Sequence, residues 1–203
     1  MSTSDTERVV FDTADPDVRA YPLLTASVVP RPIAWVTSRS ADGVGNLAPH
    51  SFYTVACANP PIVQFTSVGA KDTLRNVRET GEFVINLAGA AMVEAINGSS
   101  ARYDAEVDEA QALDVRLEPS ALVSIPRVAD SPVSIECRLH STIELGDSTL
   151  VLGDVVAVTV RREVLADDGL PDFAALQPLS RLGRNEWGGP PPLFALDRPH
   201  RAP

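Results

Sequence analysis

The side chains best suited to chemistry gather around the only lysine among the 203 residues, Lys71. Ser67, followed by Lys71-Asp72-Thr73 at the expected start of a helix, brings together hydroxyls, free backbone amides and one ammonium. These are the parts of a compact anion site. They suit a monophosphate, and the missing Gly-Lys-Ser/Thr ending of a P-loop argues against a triphosphate. Asp72 reads equally well as a plain helix cap.

A second candidate is the run Asn46-Leu47-Ala48-Pro49-His50-Ser51, which joins an amide and a hydroxyl to small residues that let a flat ligand approach the backbone. Its backbone amides could meet the polar edge of a ring, or the run could be an ordinary strand. Gly43-Val44-Gly45-Asn46-Leu47-Ala48 just ahead fits the G-x-G-x-x-A pattern of dinucleotide folds, but Pro49 and the β-formers from Phe52 leave no room for the required helix. The glycines instead serve a hairpin turn that delivers residues 46–51 as a strand edge. His50, His140 and His200 show no metal or triad spacing, and only His50 lies near the candidate ligand edge. Cys57 and Cys137 form no CxxC or Cys/His cluster, so they read as buried thiols and no metal site is expected.

The elements that must position these groups are mostly strands. Ile33 to Ser38, Ser51 to Ala56, Ile62 to Ser67 and Glu82 to Leu87 are rich in β-branched and aromatic residues and are bounded by Gly, Pro and Asn-Pro signals. Lys71 to Gly81 is a short helix with Leu74 and Val77 facing inward and Gly81 as its stop. Ala90 to Ile96 is a further short helix, and the acidic stretch 100–120, with helical turns near 106–113, reads as a solvated face. Val133 to Leu145 and Thr149 to Val160 alternate around Gly146-Asp147-Ser148 as a long hairpin, which favours antiparallel pairing. Residues 1–30 read as polar and turn-prone. Many strands with short interleaved helices predict a mainly β protein, a closed or nearly closed barrel.

Composition narrows the function. The chain is 44% hydrophobic and 22% charged, as expected of one compact domain. Its net charge of −10 opposes a broad phosphate-backbone footprint, so no nucleic-acid partner is expected. No apolar run reaches the roughly 20 residues of a membrane span. The polar start Met-Ser-Thr-Ser-Asp-Thr-Glu lacks the features of a signal peptide, so a cytoplasmic protein is expected.

Six motifs occur in order: Pro30-Arg31-Pro32-Ile33-Ala34-Trp35-Val36-Thr37-Ser38, Asn46 to Phe52, Lys71-Asp72-Thr73-Leu74-Arg75-Asn76, Gly81 to Leu87, Ser131-Pro132-Val133 and Arg181-Leu182-Gly183. Together they resemble the flavin reductase-like family of FMN-binding split β-barrels, from about residue 21 to 187. The resemblance implies an N-terminal extension over 1–20, a barrel domain over 21–187 and a Pro-rich tail over 188–203. It implies a homodimer that binds FMN and reduces flavin with NADH or NADPH, with a monooxygenase or other electron acceptor as partner. The alternatives are a non-enzymatic, flavoredoxin-like electron carrier, or a haem- or F420-binding relative on the same barrel. Carried over by motif, Thr37 and Ser38 would lie along the flavin or its ribityl chain. Asn46, Leu47, Ala48, Pro49, His50 and Ser51 would line the isoalloxazine. Ser67, Lys71, Asp72 and Thr73 would hold the phosphate, Arg31 and Arg181 are weaker site candidates, and Arg31, Arg39, Lys71 and Arg75 are the nearest candidates for a local positive patch that draws an anionic nicotinamide. This chain departs from the family where His50 replaces a usual aromatic residue, and where Arg181-Leu182-Gly183-Arg184-Asn185-Glu186-Trp187 replaces a Gly-Gly followed by Tyr.

Overall fold

The structure, a computed structural model, describes residues 8–197; the start of the chain through Glu7, and His200, lie outside them. In chain order, helix α1 (Ala20–Ser27) precedes the short strand β1 (Arg31–Pro32) and then β2 (Ala34–Arg39), β3 (Gly45–His50), β4 (Tyr53–Cys57) and β5 (Ile62–Val68). Helix α2 (Asp72–Thr80) leads into β6 (Glu82–Leu87), followed by α3 (Val93–Gly98), α4 (Glu109–Ala112) and the paired short strands β7 (Leu117–Glu118) and β8 (Arg127–Val128). The long hairpin of β9 (Val133–Leu145) and β10 (Ser148–Val160) comes next, then α5 (Phe173–Leu176), β11 (Ser180–Arg181) and β12 (Trp187–Gly188).

Seven strands form one antiparallel sheet in the order β3-β2-β6-β9-β10-β5-β4. It curls until His50, at the end of β3, stacks on Phe65 of β5 with ring centroids 4.6 Å apart. Two-residue periodicity sorts the buried side chains of β2 onto two faces. Ala34 and Val36 point into the barrel with Phe65, Phe83, Ile85 and Val151. Trp35 faces outward and packs, with Leu47 of β3, against Ile96 and Ala110 of the short helices. Gly153 permits a close crossing, because a Cβ there would lie 2.4 Å from the Phe83 ring.

The hairpin turn at Gly43 (φ +91°), the Gly81 stop of α2 (φ +73°) and the β9–β10 hairpin are as expected from the sequence. Three features differ. The turn-prone reading of residues 1–30 missed α1, whose apolar side chains Tyr21, Leu24 and Val28 are exposed, so no amphipathic pattern marks it. Cys137 is buried but Cys57 is only half-buried. The acidic stretch is not wholly solvated, since Glu109 sits 7% exposed beneath β3. A separate three-stranded sheet, β1-β11-β12, closes one end of the molecule.

Candidate functional site

The edge strand β3 runs between a buried polar network and an open groove. On the barrel side, Asn46 Nδ2 donates to Ser38 Oγ (3.1 Å) and Thr73 Oγ1 (3.0 Å), Asn76 Nδ2 reaches Ser38 Oγ (3.4 Å), and His50 Nε2 lies 3.3 Å from Thr73 Oγ1. This network ties the first turn of α2 to the β2–β3 hairpin. Burial, and next the charge of Lys71, push the His50 pKa down to about 4 against a hydrogen bond to the Thr66 backbone, so the imidazole is neutral at pH 7.

The start of α2 is left open. Lys71, the N-cap, is extended and no side chain caps the helix. Asp72 turns instead to Arg75, 2.6 Å away. The amides of the first turn and the positive end of the helix dipole therefore face an open cleft of about 560 Å³. Across it lies the loop Ser99 to Tyr103, anchored where Trp35 Nε1 donates to Ser99 Oγ (2.9 Å) and Tyr103 reaches the Gly98 carbonyl (3.4 Å). Arg102 of this loop and Lys71 thus flank the cleft, and neither pairs with a carboxylate among the described residues. Glu109 forms part of the wall; it accepts the Leu47 amide at 2.9 Å, and desolvation, with Asp108 and Asp72 nearby, raises its pKa.

Past Pro49 and Ser100 the cleft meets a second pocket of about 470 Å³ under the β11–β12 sheet. Ser51, Asn97 and Asn185 give it neutral polar groups, and Arg181 stacks on the Trp187 ring with 4.6 Å between guanidinium carbon and centroid. Among the described residues no carboxylate lines this pocket.

The model of the flavin reductase like domain matches residues 26–176 of this sequence. The chain belongs to the flavin reductase-like family. An uncharacterized protein of Halalkalibacterium halodurans is 40% identical over 88% of this chain and 90% of its own. A flavin reductase (NADH) of Kitasatospora aureofaciens is 36% identical over 52% of this chain and 53% of its own. Among solved structures, nitrilotriacetate monooxygenase component B of Bacillus cereus superposes with a TM-score of 0.89 at 32% identity, covering 95% of this chain and all (100%) of the other. The 2-nitrobenzoate 2-nitroreductase of Pseudomonas fluorescens gives 0.88 at 29% identity, covering 97% and 98%. A split-barrel-domain protein of Shewanella frigidimarina gives 0.82 at 22% identity, covering 88% and 91%, which shares the fold. The protein is a flavin-linked member with the split-barrel architecture expected from its motifs.

Within this flavin reductase-like chain, Asn46, Ala48, Pro49, Lys71, Asp72 and Thr73 line the cleft, and Pro49 and Ser51 also line the second pocket. The other expected residues do not reach the groove. Thr37 points away from Ser38 and bonds the Val84 carbonyl and Asn86 (3.4 and 3.3 Å). Ser38 and His50 are consumed by the buried network, and Ser67 Oγ donates to the Gly69 carbonyl at 3.0 Å. Leu47 is fully buried and its outward amide is taken by Glu109; the next position of the same parity is Pro49, which has no amide to offer. Arg31, 7% exposed, clamps the carbonyls of Thr25, Val28 and Leu182. It joins α1 to the C-terminal sheet rather than drawing an anionic nucleotide.

Arg102 and Glu109 were missed because their stretch carries no motif. The family departures now have physical roles. Gly183 lets the β11–β12 turn press on Ala26, since a Cβ there would lie 2.9 Å from the Ala26 Cβ. Arg184 occupies a left-handed conformation (φ +56°), the reason a second glycine suits this position.

Proposed function

We propose that the protein binds FMN in the cleft at the start of α2 and works as an NAD(P)H-dependent flavin oxidoreductase. The observation that carries this reading is the uncapped N-terminus of α2, flanked by Lys71 on one side and Arg102 on the other, with no acidic partner for either among the described residues. This combination suits a phosphate monoester: amide donors, a helix dipole and two cations in a chain that is otherwise strongly acidic. Lys71, Arg102 and the amides of Asp72 and Thr73 would hold the phosphate. Ala48, Pro49 and Ser51 would present small side chains and an edge of carbonyls to the ring system. Bound there, FMN would supply the electron-transfer chemistry that no side chain of this site can perform. The chain's own task is to fix position and exclude water, for which the rigid network behind β3 is suited.

The relationship to a flavin reductase (NADH) supports a nicotinamide donor, and the relationship to a monooxygenase component supports an oxygenase or other flavin acceptor as partner. A homodimer is supported by exposed apolar side chains on α1 and on the edge strand β4, where Val55 is 67% exposed. Purified protein mixed with FMN and NADH or NADPH should bleach the flavin's visible absorption anaerobically. Protein that retains FMN through gel filtration and oxidises neither nucleotide would be an electron carrier instead, and protein that binds no FMN would defeat both readings. Light scattering during the same chromatography reads the subunit number.

A further inference from the structure

We propose that the pocket beneath the Arg181–Trp187 pair is a recognition site for a small planar aromatic carboxylate, read by the Arg181 guanidinium and the Trp187 ring. The inference rests on the flavoprotein reading and adds to it a class of ligand, other than the nicotinamide donor, that the groove takes beside its cofactor.

Three observations carry it. The first is charge. Among the described residues the lining of this pocket holds one cation and no acid, in a chain of net charge −10. Arg181 forms no ion pair among the described residues; the nearby Glu186 pairs with Arg184 at 3.8 Å. Arg31 is the register partner of Arg181 across β1 and β11, so a second guanidinium adds to the local positive potential while both of its Nη groups stay on backbone carbonyls.

The second is geometry. Arg181 is oriented before any ligand arrives, with its guanidinium carbon 4.6 Å from the Trp187 ring centroid and one Nη donating to the Arg184 carbonyl at 3.2 Å. A guanidinium held this way keeps its remaining donors in a planar fork, which matches the two oxygens of a carboxylate. Trp187, half-buried in the same lining, also offers indole surface against which an aromatic ring can pack.

The third is contrast within the molecule. The cleft at α2, which the proposed function gives to a dianion, combines a helix N-terminus and two cations with the carboxylates of Asp72 and Glu109. The Arg181 pocket has a single cation among neutral amides and hydroxyls from Asn97, Ser100 and Asn185. One charge with neutral hydrogen-bonding groups selects a monoanion over a pyrophosphate. The cavity, at about 470 Å³, falls within the roughly 300 to 1,000 Å³ of small-molecule sites.

Benzoate, with benzamide as its neutral isostere, tests this by isothermal titration of the FMN-loaded protein. Benzoate is expected to bind at least about tenfold tighter than benzamide. Arg181→Gln should bring benzoate down to the benzamide level and leave FMN affinity unchanged. Asn185→Asp, which sets a carboxylate beside Arg181 without touching its strand pairing, should weaken benzoate in the same way. Equal binding of benzoate and benzamide, or benzoate binding unaffected by both variants, would overturn the proposal. So would Arg181-dependent binding of ADP-ribose without binding of benzoate, because the pocket would then serve a nucleotide pyrophosphate. If the protein takes up no FMN, the flavoprotein reading fails on that measurement alone, and the same titrations of the apoprotein still decide this one.

Discussion

The two halves of the groove along β3 are built on opposite plans. At the α2 end the polar side chains are turned inward: Ser38, Asn46, His50 and Thr73 satisfy one another behind the strand, and the groove itself is furnished by backbone amides, Lys71 and Arg102. At the β11–β12 end the polar side chains face the pocket, and the backbone is occupied with a two-residue strand pairing. The first plan fixes a position rigidly and is hard to alter one residue at a time. The second leaves recognition to a few side chains that can change without disturbing the barrel. Departures from the family's motifs fall at both ends, His50 in the first and Arg184, Asn185 and Trp187 in the second.

The contrast can be broken most forcefully at His50. Its pKa is depressed by burial from an unfolded value of about 6.5 to about 4, so the unfolded chain binds more protons between those values. The His50 contribution to stability should therefore be fully present above about pH 6.5 and fall by about 3 kcal/mol as pH drops to about 4. Chemical denaturation across that range checks this, and His50→Phe, which keeps the ring but cannot titrate, should flatten the curve. Next in size is Thr73→Val, which removes the hydroxyl shared by Asn46 and His50 and should cost about 2 kcal/mol of unfolding free energy by leaving buried polar atoms without partners. The matched change at the other end, Arg181→Gln, should leave the unfolding midpoint within about 0.5 kcal/mol of wild type.

Binding effects follow. Lys71→Ala should weaken FMN by about 1 to 3 kcal/mol in a fluorescence-quenching titration, the scale of one charge-assisted hydrogen bond. Glu109→Gln retains an oxygen for the Leu47 amide and removes a negative charge from the cleft wall, so FMN should bind on the order of threefold tighter, and less so in high salt. The smallest effect is expected at Arg184, where glycine relieves the left-handed backbone and should raise the unfolding free energy by about 0.5 kcal/mol.

Much of the fold is legible in the sequence because its signals are local. Asp42-Gly43, Gly81 and the Gly146-Asp147 turn mark where strands and helix stop, and the alternation from Val133 onward marks a half-buried strand. The short helix α1 and the pairing of β1 with β11 are not legible, since they depend on Arg31 reaching carbonyls 151 positions away in sequence at Leu182. The site was half legible. Lys71 stands out by rarity, and the motif that carries it lies where the cleft forms. The same motifs also named Thr37, Ser38, His50 and Ser67, whose side chains hold the scaffold behind the cleft. A sequence does not show which face of a strand a hydroxyl takes once the sheet has curled. Arg102 and Glu109 come to the cleft from an irregular stretch whose acidity reads as solvated surface until β3 and α4 are packed together.

The central claim is that the α2 end of the groove recognises a phosphate monoester. The most direct measurement is a parallel titration with FMN and riboflavin, which share the ring and the polyol and differ in the phosphate. The account predicts that FMN binds at least about tenfold tighter than riboflavin, and that the Lys71→Ala, Arg102→Ala double variant erases most of that difference. Equal affinities for the two flavins in the wild-type protein would contradict it.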